Sequence, residues 1–401
     1  MVKEEGGGIV ICPRKKVMII SRNINGIDFA VNPHKSASLL CEEHIANLTQ
    51  GNIYAFVEYL YEQTQQYTPM VATWEITNIC NFSCTFCYIN SEKSINKQFI
   101  SLDKAKEMID VLVEEGLLLV YLTGGEVLSH PNFEEIYKYL KLKGVYVVLL
   151  TNLSLLDEDK LKLLKEYPPL RVTASLYGIS EKQFSGVTQN RQISPQKIMD
   201  NILLLKDNGI NITAQTPINK ATIEQYEMMA NWCYEHGIIY RTNNDLTNSY
   251  FDEDRQNLYI ETAEFNEIKS RLRFITEEPL EFCQTGTSCC KYDQKRHFDC
   301  ISGKHTFAIS YNLHIRPCFN IWETEGPWFD ASLSIKDALD ELKEYLNSKK
   351  LEVIEYCKGC VAHKFCRECM MTQNRNRVRL KEYMKEACSN NMRLFLENQK
   401  S

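Results

Sequence analysis

Apolar and polar positions along the chain change rhythm twice, so three regions follow from the pattern alone. Up to about residue 65, short alternating runs over Ile9 to Cys12, Val17 to Ile20 and Asp28 to Val31 read as strands, two of them joined by a turn at Asn25-Gly26. Helical periodicity follows over Ser36 to Leu48 and Ile53 to Thr64, predicting a small α+β module of three strands and three helices.

From 71 to 260 strand and helix alternate. Val71 to Ile76, Leu118 to Thr123, Val145 to Thr151, Leu170 to Ser175, Ile210 to Pro217 and Ile238 to Tyr240 have strand length and apolar content. Between them lie a helix capped by Ser101 and ended at Gly116, one opening at Pro131, and helices over Asp157 to Glu166, Pro195 to Asn208 and Thr222 to His236. Six strands alternating with helices predict a parallel sheet with helical crossovers, covered on its faces. From about 280 to 401 the pattern gives way to cysteine-dense loops. They hold a hairpin of Thr306 to Ser310 against His314 to Pro317, and helices over Leu333 to Leu346 and Val378 to Leu396.

Composition narrows the class. The 401 residues are 44% hydrophobic and 24% charged, enough to bury more than one core. Lys plus Arg number 46 against 52 for Asp plus Glu, and the charge of −6 argues against a general nucleic-acid or anionic-membrane binder. No apolar run approaches the ~20 residues of a membrane span, and Met1 to Gly8 is not a signal peptide, so a cytoplasmic protein is expected. Sixteen cysteines are therefore expected to persist as thiols or metal ligands rather than disulfides.

Three of them carry the sharpest chemistry. Cys80, Cys84 and Cys87 follow the first strand of the repeat, where parallel α/β sheets place active-site loops. Three thiolates within eight residues can ligate three irons of one cubane and leave the fourth open. A structural zinc site instead closes four positions with Cys-x2-Cys pairs.

Cys80-x3-Cys84-x2-Cys87-Tyr88, with Leu122-Thr123-Gly124-Gly125-Glu126 at the end of strand two, resembles the two signatures of the radical S-adenosylmethionine (radical SAM) superfamily. The resemblance implies a partial (β/α)6, TIM-like barrel. It also implies a [4Fe-4S] cluster on Cys80, Cys84 and Cys87, whose open iron binds S-adenosylmethionine. One-electron reduction then gives a 5′-deoxyadenosyl radical that abstracts hydrogen from an unactivated C–H bond, with the electron coming from a flavodoxin- or ferredoxin-type donor. Carried over by motif, Gly124, Gly125 and Glu126 would support the methionyl amino group, and Tyr88 would lie by the adenine. Thr151-Asn152 and Ser175 would reach the ribose, and Arg191 the carboxylate; a strand-end polar group or turn cap is the plainer reading of these last positions. The family's proline after Gly-Gly-Glu is Val127 here.

Cys300, Pro317-Cys318 and the run Cys357-x2-Cys360-x5-Cys366-x2-Cys369, with Cys388 beyond, resemble the SPASM extension of peptide-modifying members. That resemblance implies two auxiliary [4Fe-4S] clusters, one on Cys300, Cys318, Cys369 and one of Cys283, Cys289 or Cys290, with Cys290 preferred. The other would use Cys357, Cys360, Cys366 and Cys388. The chain departs from the pattern by having two residues, not three, before Cys369, and Leu313 where a glycine is usual.

SPASM enzymes act mainly on peptides, and residues 1–65 resemble the winged-helix-like leader-recognition module fused to many of them. Such a module takes a leader as an added strand, here along Val17 to Ile20 or Asp28 to Val31; a packing extension that covers the barrel is the alternative. The implied function is maturation of a ribosomally made precursor peptide by a cross-link, thioether favoured over carbon–carbon. The sulfatase-maturing branch carries an aspartate where Phe319-Asn320 stands. Oxidation or epimerisation of a protein side chain, or action on a small molecule, stays open within enzymes. A zinc-stabilised peptide-binding scaffold stays open outside them. The run Arg375, Arg377, Arg379, Lys381 reads as a solvated face, His236 as a helix-end cap, and Trp74 and Trp232 as core or rim aromatics.

Overall fold

The computed structural model describes residues 9–12, 17–89, 98–243, 302, 304–319 and 327–348, with single positions between 258 and 272. Cys283, Cys289, Cys290, Cys300, Cys357, Cys360, Cys366, Cys369 and Cys388 lie outside the described residues, as does the helix expected over Val378 to Leu396.

The first unit is an antiparallel meander of β1 (Ile9–Cys12), β2 (Val17–Ile24), β3 (Ile27–Val31) and β4 (Leu39–Leu40) in chain order. Asn25 and Gly26 both take positive φ, the two-residue turn whose twist suits a hairpin. Helices α1 (Glu43–Thr49) and α2 (Ile53–Thr64) follow, α2 capped by Asn52, whose side chain accepts from the amides of Tyr54 and Ala55. Among the described residues this unit has four strands and two helices, in place of the three strands and three helices expected. Leu39 and Leu40 pair with Val31 and Ala30 instead of starting a helix at Ser36, and the helix begins only at Glu43. Val17 to Ile20 and Asp28 to Val31, the expected docking strands, both lie inside the sheet; β1 and β4 are its edges.

The second unit has the six expected parallel strands, β5 (Val71–Glu75), β6 (Leu119–Thr123), β7 (Tyr146–Thr151), β8 (Arg171–Ser175), β9 (Ile212–Pro217) and β10 (Ile239–Asn243). They pair in chain order, each with the next. Helices α3 (Leu102–Glu114), α4 (Phe133–Leu142), α5 (Glu158–Glu166), α6 (Glu181–Thr188), α7 (Pro195–Asp207) and α8 (Tyr226–Glu235) fill the crossovers. Ser101, Asp157, Ser180 and Ser194 cap four of them, each accepting an amide three residues on.

Strand alternation separates two faces. Ala72, Trp74, Val120, Leu122, Val147, Leu149, Val172, Ala174, Ile212 and Ala214 join the helices in the main core. The opposite, lumen face carries Val71, Leu119, Tyr146 and Val148, which share a second core with Phe56, Val57 and Leu60 of α2. The N-terminal unit is therefore docked against the lumen side of the sheet, and Arg22 ties it to the crossover turns by donating to the carbonyls of Val113 and Gly144.

The hairpin expected near 306–317 is present as β11 (Thr306–Ile309) and β12 (His314–Arg316), followed by β13 (Phe329–Asp330). It does not start a separate sheet. β11 pairs in parallel with β5, Thr306 opposite Val71 through Ile309 opposite Trp74, so one sheet runs β10-β9-β8-β7-β6-β5-β11-β12-β13. A helix over Ile335–Ser348 buries Leu339, Leu342 and Leu346 in the main core. Among the described residues, the expected boundary at 280 marks no break in that core. No described helix is long and apolar enough to cross a membrane.

Candidate functional site

The loop after β5 carries Cys80, Cys84 and Cys87, all half-buried. Its shape is set by bonds to three other segments. The amides of Ser83 and Thr85 donate to the carbonyls of Thr188 and Val187 at the end of α6, at 2.9 and 3.0 Å. Phe82 meets Phe184 of α6 edge-on at 5.7 Å, and Phe86 meets Tyr177 edge-on at 5.0 Å. The Asn81 carbonyl accepts from Asn190 Nδ2 at 2.9 Å, while its side chain bonds Asn152 and Ser154 at the end of β7.

Gly124 and Gly125 stand directly against this loop. A Cβ on Gly124 would lie 2.5 Å from the Thr77 carbonyl oxygen, and one on Gly125 would lie 2.3 Å from that of Ile79. The amides of Gly125 and Glu126 donate to those same two carbonyls, both at 2.8 Å. Side chains are thus excluded here by the backbone that leads into Cys80.

Glu126 is buried, and its carboxylate accepts from the Leu128 amide, the Thr151 hydroxyl and the Asn152 amide. Burial raises its pKa, opposed by the hydrogen bonds from Thr151, Asn152 and Leu128. Glu126 thereby joins the end of β6 to that of β7, and Asn152 joins the end of β7 to the cysteine loop through Asn81. Ser175 is half-buried at the end of β8 and accepts from Tyr177 at 3.0 Å. Arg191 lies exposed on the turn after α6, next to the Asn190 that holds Asn81.

Tyr88 donates to Glu75 Oε1 at 3.0 Å, and Glu75 Oε2 lies 3.9 Å from Arg316 Nη2, both partners fully buried. The Tyr88 ring meets Phe319 edge-on at 5.0 Å. This brings Cys318, half-buried beside Phe319, to the flank of the cysteine loop. Asn81, Asn190, Glu75 and Arg316 had no signature of their own in the sequence. His236 caps as expected, Nδ1 2.8 Å from the Trp232 carbonyl, and Trp74 is a core residue.

Residues 74–233 match the family model for the radical SAM superfamily. They are a radical SAM domain. The antilisterial bacteriocin subtilosin biosynthesis protein AlbA of Bacillus subtilis is 25% identical over 265 residues, 62% of this chain and 55% of that protein. Fe-coproporphyrin III synthase of Methanosarcina barkeri is 28% identical over 155 residues, 38% of each chain. The chain therefore spans about half, or less, of the length of these curated relatives. Among solved structures, Streptococcus suis SuiB bound to S-adenosylmethionine superposes with a TM-score of 0.59 at 14% identity, over 90% of this chain and 96% of SuiB. SuiB bound to its precursor peptide SuiA gives 0.56 at 14%, over the same shares. That likeness is one of fold, an α/β radical SAM architecture with a parallel sheet.

A radical SAM domain implies S-adenosylmethionine and a [4Fe-4S] cluster, and the donor set here suits the latter. Burial raises the thiols of Cys80 and Cys84 well above the ordinary range, and the charges of neighbouring cysteines add to it. Three thiols that repel one another as thiolates need a shared cationic centre. Among the described residues no three Cys, His, Asp or Glu side chains converge on a position for one metal ion. A cubane asks for a different arrangement, each thiolate on its own iron.

Proposed function

We propose that this chain is a radical SAM maturase of a ribosomally made peptide. Cys80, Cys84 and Cys87 would hold the cluster, and the cluster with S-adenosylmethionine would supply reductive cleavage and hydrogen abstraction from a C–H bond. The observation that carries this reading is the backbone union of the Gly124-Gly125-Glu126 turn with the residues leading into Cys80. Two signatures far apart in sequence meet as one structural unit at the C-terminal ends of β5 and β6, where barrel enzymes put chemistry.

Gly124 and Gly125 would leave room for the cofactor beside the loop, with Glu126 and Asn152 fixing their position. Tyr88, Ser175 and Arg191 would face it from the remaining sides. Support for a peptide substrate comes from the similarity to AlbA, which extends over 265 residues and so beyond the radical SAM domain itself. Cross-linking, thioether before carbon–carbon, is the reaction proposed. Cys300, Cys318 and Cys369 with one of Cys283, Cys289 or Cys290 would hold one auxiliary [4Fe-4S] cluster, and Cys357, Cys360, Cys366 and Cys388 the other. The leader would add to an edge of the N-terminal sheet, β1 or β4.

Anoxic reconstitution tests the reading. About twelve irons with matching sulfide are expected for three clusters, and dithionite with S-adenosylmethionine should yield 5′-deoxyadenosine. Cys84→Ala should abolish that product; Cys360→Ala should spare part of it while blocking peptide modification. Zinc without sulfide, or an intact cosubstrate, would overturn it.

A further inference from the structure

The turn that follows β8 ties the end of that strand to the cysteine loop through one side chain, Tyr177. Ser175 stands two residues beyond Thr173 on β8 and opposite Gln215 of β9, on the lumen face, whereas Val172 and Ala174 lie in the helix-side core. Tyr177 donates its hydroxyl proton to Ser175 Oγ at 3.0 Å. Its ring meets Phe86 edge-on, with centroids 5.0 Å apart and planes at 88°. Phe86 lies between Cys84 and Cys87 in the chain, so one residue grips both the strand end and the middle of the cysteine triplet.

The turn itself is held on both sides of Tyr177. Gln225 Oε1 accepts from the amides of Ile179 and Ser180 at 2.7 and 3.0 Å. Gly178 is packed so closely that an added Cβ would lie 3.0 Å from the Phe184 amide nitrogen. The Leu176 amide donates to the Gln215 carbonyl at 3.0 Å, and the Leu176 carbonyl accepts from the Thr216 hydroxyl.

The direction of the bond between Tyr177 and Ser175 decides what Ser175 offers. A phenol is the more acidic of the two hydroxyls and so the better donor. Accepting from it occupies one lone pair of Ser175 Oγ and leaves the Ser175 proton to point elsewhere; among the described residues no acceptor takes that proton. An isolated serine hydroxyl turns among staggered positions and either accepts or donates. Held by Tyr177, this one is set as a donor on the lumen face and is joined to the loop that carries Cys84 and Cys87. A ligand oxygen placed there meets a fixed O–H rather than a rotor, which lowers the ordering cost of binding.

We propose that Tyr177 is a positioning residue, which commits Ser175 to donate its hydroxyl proton to an oxygen of bound S-adenosylmethionine. This rests on the reading that Ser175 faces the cofactor, and it adds how the serine's polarity is set. The ribose and the carboxylate of the cofactor supply such oxygens; its adenine and sulfonium do not. Because the same Tyr177 ring packs on Phe86, the donor and the cysteine loop keep one spacing.

The test reads cofactor binding, not turnover, on full-length protein reconstituted with iron and sulfide under anoxic conditions. Equilibrium dialysis against radiolabelled S-adenosylmethionine gives dissociation constants for the parent, Tyr177→Phe, Ser175→Ala and the double variant, with iron content and melting temperature measured alongside. Tyr177→Phe keeps the ring against Phe86 and removes the donor alone. It should weaken binding about threefold to tenfold, the worth of one neutral hydrogen bond, and Ser175→Ala should weaken it at least as much. Adding Tyr177→Phe to Ser175→Ala should change nothing beyond about twofold. A merely structural part for Tyr177 would give the same loss in both backgrounds. Tyr177→4-aminophenylalanine, which keeps a donor at the para position, should bind within about twofold of the parent. Tyr177→4-methylphenylalanine, which fills the hydroxyl's space without donating, should not, and this matched pair replaces Tyr177→Phe if that variant fails to fold. Parental affinity in Tyr177→Phe or Ser175→Ala, equal losses in the two backgrounds, or equal affinity of the amino and methyl variants would overturn the proposal. A parent that takes up iron and sulfide yet binds no S-adenosylmethionine would instead overturn the reading of the site on which it rests.

Discussion

The hydroxyl of Tyr88 donates to Glu75 Oε1 at 3.0 Å, so the residue after the third cysteine is tied back to the end of the strand before the first. The same glutamate faces Arg316 from the hairpin that joins the sheet beside β5. Tyr88→Phe removes one donor from a fully buried carboxylate, at a cost of about 1–3 kcal/mol. We expect a lower melting temperature and reduced iron retention after gel filtration, both measurable on anoxically reconstituted protein.

Two glycines should respond in opposite directions to the same change. Gly125→Ala drives a methyl group into the Ile79 carbonyl, 2.3 Å from the new Cβ. The cysteine loop can then no longer dock, and iron loading should fall several-fold. Gly186→Ala, inside α6, meets nothing within 4 Å and should stabilise by about 0.5–1 kcal/mol through helix propensity. Parallel iron assays and melts of the two variants would reveal any departure.

Glu126 gives a pH dependence of known sign. Its pKa is raised from 4.5 by burial, against the pull of its hydrogen bonds. A raised carboxyl adds stability below its unfolded pKa and withdraws it as pH rises through the folded value. Glu126→Gln removes that titration. Relative to the variant, the wild type should therefore lose melting temperature on going from about pH 4 to about pH 8. A constant difference across that range would contradict the assignment.

Acid should loosen the N-terminal unit from the sheet. His305, buried just before β11, lies 3.0 Å from Glu58 of α2, and burial lowers its pKa below 6.5 despite that bond. Burial pushes Glu58 upward, but the His305 hydrogen bond and charge outweigh it and hold the carboxyl below 4.5. A lowered histidine contributes stability above 6.5 that is lost as pH falls, and a lowered carboxyl acts in the same sense at lower pH. Amide protection in α2, corrected for the intrinsic exchange rate at each pH, should fall between about pH 7 and about pH 5, more than in β6, and His305→Gln should flatten the difference.

Local rules carried the sequence reading far and then stopped. All six parallel strands lie within a few residues of their expected limits, because apolar runs of strand length separated by capped helices leave little choice. The cysteine triplet and the Gly-Gly-Glu turn were legible because each is contiguous. What was missed is non-local. Asn81 meets Asn152 across 71 residues and Asn190 across 109, and no spacing rule announces such pairs. The two-residue β4 has no period to detect, and α6 is short, polar on one side and interrupted by Gly186. The attachment of the hairpin to β5 was invisible for the same reason, since sheet order past a long excursion is settled by tertiary contact.

The placement of α2 has a consequence for anyone shortening this protein. Phe56, Val57 and Leu60 cover Val71, Leu119, Tyr146 and Val148. A fragment trimmed to start near Met70 would bare that oily underside to water and lose the Tyr54 hydroxyl as well. Such a fragment should self-associate, so the catalytic barrel and its leading segment are best handled as one inseparable piece.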